Sequence, residues 1–129
     1  MYVGVLRLWL RVPGARSLKE KRKTVRSLRD RIQSKLRCSV AEVGDLESHQ
    51  RAVLGVSVVS VDGRRVDELL AVAASMAGGQ RDALLVDRAT EILSFGTEGG
   101  TERFRDELDP LVSGEVFGRA EATAVGGDE

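Results

Sequence analysis

Ten basic side chains crowd into residues 16–37 of this 129-residue chain, opposed there only by Glu20 and Asp30. Placed at about 100° per residue from Leu18, as on a helix, Arg26, Lys19, Arg37, Lys23 and Arg16 fall between roughly 80° and 160°, with Arg22 flanking at about 40°. They form one basic stripe. Like charges this close repel, and an anionic partner relieves the repulsion. Phosphate contacts fit, because they need charge along a rigid element and no base-reading geometry. The competing reading is a plain solvated face: the chain has 16 Arg to 4 Lys and no Asn, as GC-rich codon usage produces.

Lys21 falls near about 300° on the same wheel, inside an apolar face centred near about 320°. Either its stem covers apolar surface while the ammonium reaches water, or it is a poised cation beside Pro13-Gly14-Ala15-Arg16. In the second case Arg16, Lys19 and Lys21 hold a phosphate together with a helix N-terminus. One glycine is no phosphate cradle, and neither GxGxxG nor GxxxxGK occurs.

Catalytic constellations are missing, and we assign no catalytic residue. Ser48 and His49 are neighbours in a polar loop, but adjacency is not triad geometry. Cys38 reads as a small buried residue. A single Cys and a single His cannot complete a four-ligand zinc site, so no metal or cofactor is expected. Glu42 is the carboxylate whose side the pattern leaves open, since Cys38 and Val40 share its face.

The elements that position these residues follow from periodicity. Residues 2–12 alternate like a strand, with Leu6, Leu8, Leu10 and Val12 on one side. Pro13-Gly14 breaks it, and Ser17-Leu18-Lys19-Glu20 reads as a capping box, Ser17 accepting from the Glu20 N–H while Glu20 reaches back. Leu18, Val25, Leu28, Ile32 and Leu36 then mark a helix to about Arg37. Residues 38–44 read as an edge strand and residues 52–61 as a central one. Asp62-Gly63 turns the chain, a second helix runs from Val66 to Ala77, and Gly78-Gly79 stops it. Residues 84–95 close the sheet, with Asp87, Arg88 and Glu91 suiting an edge.

Strand, helix, strand, strand, helix, strand is the ferredoxin-like α+β order, βαββαβ, with two helices on one face of a four-stranded antiparallel sheet. Leu54, Val56 and Val58 then face the helices. The open face carries Val3, Val5, Trp9, Val53, Val59 and Val61, with Arg7 and Arg11 among them. A patch so apolar marks an interface, and we expect a homo-oligomer. Trp9 reads as an interface residue packing over Gly55 if the two are cross-strand neighbours, and not as a base-stacking platform, which needs more aromatics.

The domain spans residues 1–95 and is net +6, while residues 96–129 are net −6, Gly-rich and without sustained period. We expect that acidic segment to be disordered, with at most a turn or two of helix at Phe104, Leu108 and Leu111. No apolar run approaches the length of a membrane span, and the start of the chain lacks the pattern of a signal peptide, so we expect a cytoplasmic protein away from membranes.

On Pro13-Gly14-Ala15-Arg16-Ser17-Leu18-Lys19-Glu20-Lys21-Arg22, Ser39-Val40-Ala41-Glu42-Val43-Gly44, Gln50-Arg51-Ala52 and Gly55, the chain resembles the YlxP-like family of small bacterial proteins over about residues 1–95. The resemblance implies the ferredoxin-like fold and no assigned activity. It also implies a setting near translation, since such proteins are often encoded beside translation-initiation and ribosome-maturation genes. The expected function is therefore a non-enzymatic accessory factor that binds RNA or a ribosomal particle through Arg16, Lys19, Lys21, Arg22, Lys23, Arg26 and Arg37. The alternative is a small-ligand regulatory module of ACT-like type, acting at a subunit interface. Acylphosphatase shares this fold but positions its attacking water with an asparagine, which this chain lacks. An enzyme is the least favoured reading, because no general base stands beside the cations.

Overall fold

Alternation in the first ten residues does what the period requires: one side of β1 (Tyr2–Arg11) is buried and the other half-buried. The computed structural model describes residues 1–97, and the expectations for the acidic segment, including Phe104, Leu108 and Leu111, lie outside the described residues from 98 onward. After β1 come α1 (Leu18–Leu36), β2 (Ser39–Gly44), β3 (Arg51–Ser60), α2 (Gly63–Gly78) and β4 (Leu84–Ser94). The strands pair antiparallel in the order β2-β3-β1-β4, which makes β1 and β3 central. This is the ferredoxin-like α+β arrangement.

The core lies between sheet and helices. Leu6, Leu8 and Leu10 meet Leu54, Val56 and Val58 of β3, Val25, Leu28 and Ile32 of α1, and Val66, Leu70 and Ala73 of α2. Gly4 belongs to the same inward row. A Cβ there would collide with Val66 Cγ1 and lie 2.7 Å from Leu70 Cδ1, so the glycine lets α2 approach β1. The ends of the sheet are tied as well: the Met1 ammonium donates to the Phe95 carbonyl at 2.8 Å, and Phe95 N–H donates to the Met1 carbonyl at 2.7 Å.

The helix ends depart from expectation in two places. Ser17 caps α1 by accepting from the Glu20 N–H at 3.2 Å, but the Glu20 carboxylate accepts from Arg16 N–H, at 2.6 Å, one residue beyond the usual box partner. The second helix begins at Gly63, ahead of Val66, because Asp62 is its cap and accepts from Arg64 N–H at 3.0 Å. At the far end of α1, Arg37 takes the left-handed conformation, φ 52°, that glycine usually fills, and donates its N–H to the Gln33 carbonyl.

Two bulges re-aim side chains. One falls between Trp9 and Leu10 against β4, the other between Glu42 and Gly44 against β3. The second leaves Val43 unpaired, its side chain 3.2 Å from where a Gly55 Cβ would lie. Gly55 thus accommodates Val43. Trp9 is cross-strand to Val53 and Arg7 to Gly55, so the condition for Trp9 to pack over Gly55, that the two be cross-strand neighbours, is not met.

Candidate functional site

The two residues whose placement the pattern left odd, Lys21 and Glu42, are partners. Lys21 is fully buried. Its Nζ lies 2.8 Å from Glu42 Oε2 and donates to the carbonyls of Asp45 at 2.9 Å and Arg51 at 3.1 Å. Three ammonium protons face three acceptors, so none is free for a ligand. Glu42 Oε2 is occluded and makes no well-aligned hydrogen bond, which leaves the ammonium as its compensation; the carboxylate side chain as a whole stays 17% exposed. Asp45 has φ 55°, a conformation an Asp tolerates, and its carbonyl accepts from Lys21. The pair ties the first turn of α1 to both ends of the β2–β3 loop.

Lys21 therefore leaves the expected anion-binding set. Neither reading of it at the sequence level included a carboxylate partner, and the sign of its environment is now negative. Gln50 fastens the adjoining Pro13-Gly14 loop, its side-chain amide donating to the Pro13 and Ala15 carbonyls at 3.3 and 3.2 Å.

The remaining expected cations, Arg16, Lys19, Arg22, Lys23, Arg26 and Arg37, are all exposed. Among the described residues none of them forms an ion pair. Arg16 precedes α1, Arg37 caps its far end, and the other four lie within its first three turns. They do not form one uniform stripe. Arg22 and Arg26 overhang β2, where with Arg29 they line a notch of about 110 Å³ that has Glu42 at its wall. Lys23 instead borders a cleft of about 590 Å³ between the Pro13-Gly14 loop, α1 and the turn at Arg81 and Asp82. Arg29 carries no distinguishing signal in the sequence, because its angle, about 20° from Leu18, places it at the border of the core face. Its guanidinium also engages Asp30 at 2.9 Å.

The open face assembles as expected for Val3, Val5, Trp9 and Val59, which share one side of the sheet. Val53 shares that side but is only 8% exposed, covered by cross-strand Trp9 and by the approach of Gly44. Its contribution to an outer surface is small. Val61 lies past the end of β3 and is exposed. Ser48 Oγ accepts from the Gln50 and Arg51 N–H groups, so it is a turn former; His49 beside it is exposed. Burial pushes the Cys38 thiol up from its ordinary pKa, against a smaller opposing effect of a backbone hydrogen bond. No three of His, Cys, Asp or Glu converge as a metal site among the described residues, and no helix there is long and apolar enough to cross a membrane.

Residues 3–90 match the family model described as Protein of unknown function (DUF503), and the YlxP-like resemblance is compatible with that match. No curated protein matches the chain. Among solved structures it is similar to Rv0793 from Mycobacterium tuberculosis, at 18% identity and TM-score 0.42 over 78% of this chain and 100% of that one. It is also similar to a REP-associated tyrosine transposase bound to a REP hairpin, at 10% identity and TM-score 0.37 over 88% of this chain and 68% of that one. Likenesses this loose carry no argument for the present chain.

Proposed function

The chain belongs to DUF503, a family of proteins of unknown function, and on that premise we propose that it is a cytoplasmic, non-enzymatic accessory protein that binds RNA, free or in a ribosomal particle, through α1. The supporting observation is the set of exposed cations, Lys19, Arg22, Lys23 and Arg26, that have no acidic partner among the described residues. They stand on a helix of about 28 Å whose start is pinned by the buried Lys21–Glu42 contact. Unpaired cations held on one rigid helix gain by releasing counterions from a phosphate backbone, and need no base contacts to do so. The sheet offers Trp9 as its lone Trp, too little for base stacking.

The test is the affinity of the full chain for a mixed-sequence single-stranded RNA across a salt series. Changing Lys19, Lys23 and Arg26 together to Gln removes three phosphate contacts and flattens the log–log salt slope by about 2. Changing Arg64 to Gln on α2 leaves it in place. An unaltered slope in the triple variant refutes the reading.

One observation favours a second reading, the small-ligand regulatory module. The cleft beside Pro13-Gly14 has an apolar floor at Val12, Ala15 and Ala83 and charged walls at Lys23, Arg81 and Asp82. Its volume is in the usual range for small-molecule sites. A rise in melting temperature with free amino acids, absent with RNA, would select this reading over the first.

A further inference from the structure

The side of the sheet away from the helices carries Val3, Val5 and Trp9 half-buried, Val59 62% exposed and Leu93 39% exposed. In its middle sits a charge. Arg7 is level with Gly55 and Ala41 on one side, where Val43 fills the space over Gly55, and with Ala89 on the other, where the side chain ends at Cβ. The guanidinium lies over the Trp9 ring, 5.3 Å from its centroid, and has no carboxylate partner among the described residues.

Two carboxylates share this face without a cation. Glu91 and Asp87 flank Ala89 on β4, level with Val5 and Trp9 respectively, each about 6.6 Å along the strand from the row of Arg7. Neither forms an ion pair among the described residues. The face thus holds unpaired cations on a central strand, Arg7 in the middle and Arg11 at the rim, and unpaired anions on the adjacent edge strand, set in apolar surroundings. Such a surface complements itself.

We propose that this face docks a second copy of the chain in a two-fold contact in which Arg7 of each copy meets the partner's Glu91, with the partner's Asp87 alongside. A two-fold axis through Arg7 would oppose two guanidiniums. An axis between β1 and β4 instead lays β1 over the partner's β4, so that Arg7 enters the gap left by the small Ala89 side chain and Val3 approaches the partner's Leu93. Trp and Arg are the side chains most enriched at such contacts. The contact is isologous and closes at two copies. It leaves α1 of each copy on the outside, because the helices cover the opposite side of the sheet, so it goes beyond the RNA reading and does not depend on it.

The experiment is sedimentation velocity on the full chain, comparing the parent with Arg7→Glu and with the combined Arg7→Glu, Glu91→Arg exchange. The parent is expected to sediment as a dimer. Arg7→Glu sets a carboxylate against Glu91 and Asp87 and is expected to weaken association about 100-fold, and the exchanged pair to regain most of it. Val59→Lys, at a residue already well exposed, supplies the same reading should Arg7→Glu fail to fold, and is likewise expected to dissociate the dimer. A monomeric parent overturns the proposal; hydrogen exchange would then show whether another segment of the chain covers the face. An Arg7→Glu variant of unchanged mass, or an exchanged pair no better than the single change, overturns it too.

Discussion

Replacing Lys21 with Met removes the one fully buried charge among the described residues. The side chain is fully buried, and its loss leaves Glu42 Oε2 occluded without a partner and takes the ammonium donor from the Asp45 and Arg51 carbonyls, the first of which still accepts from the Ser48 N–H at 3.0 Å. Breaking a buried pair from one side typically costs about 3–5 kcal/mol, against a total stability of roughly 5–15 kcal/mol for a domain. For a domain of this size each kcal/mol is worth about 4–8 °C, so the melting temperature should fall by roughly 12 °C or more. The double variant Lys21→Met, Glu42→Leu removes the stranded carboxylate but does not restore the two hydrogen bonds Lys21 gave the carbonyls, a loss of about 1–2 kcal/mol together because Asp45 keeps the Ser48 N–H. It should therefore recover about 2 kcal/mol relative to Lys21→Met alone, a coupling that chemical denaturation of the four-member cycle measures directly. A Lys21→Met cost below about 1 kcal/mol would mean that water already solvates the carboxylate, and strictly additive single changes would mean that the two groups do not act as a pair.

Other substitutions follow from the same geometry. Gly4→Ala forces a methyl group into Val66 and Leu70 and should cost about 1–3 kcal/mol in denaturant titrations, with no loss of RNA affinity. Arg37→Gly relieves a left-handed backbone at the end of α1 and should raise stability by up to about 1 kcal/mol, read as a higher melting temperature. The Cys38 thiol, pushed up by burial, holds less thiolate than a free cysteine at pH 8, so alkylation of the native chain should run slower than that of a model thiol and catch up in denaturant.

Much of this architecture is legible in the residues because β1, α1 and the inner side of β3 each keep one period throughout. Leu6, Leu8 and Leu10 against Leu54, Val56 and Val58 need no knowledge of the partner strand to be placed inward. Asp62 marks its helix start, yet Asp-Gly is also a turn pair, and local sequence does not tell a cap from a turn. The Lys21–Glu42 contact shows the limit more sharply. Each residue is conspicuous alone, but they meet between α1 and β2, beside the bulge at Val43 and the left-handed Asp45, and neither feature has a periodic signature. The same bulge puts Val43 over Gly55, while the uninterrupted β1–β3 register sets Trp9 opposite Val53 and Arg7 opposite Gly55. Exposure of the α1 cations was readable from the helix wheel; their division between a notch over β2 and a cleft beside Pro13 required the neighbouring loops.

Whether RNA meets this protein on α1 is tested residue by residue by an amide NMR titration of the full chain with a short single-stranded RNA. Shifts are expected to concentrate in residues 16–29 and to diminish as salt is added, with the core strands β1 and β3 nearly still. Shifts confined to the open sheet face or to the turn at Arg81 and Asp82, or no shifts at low salt, would contradict RNA binding on α1.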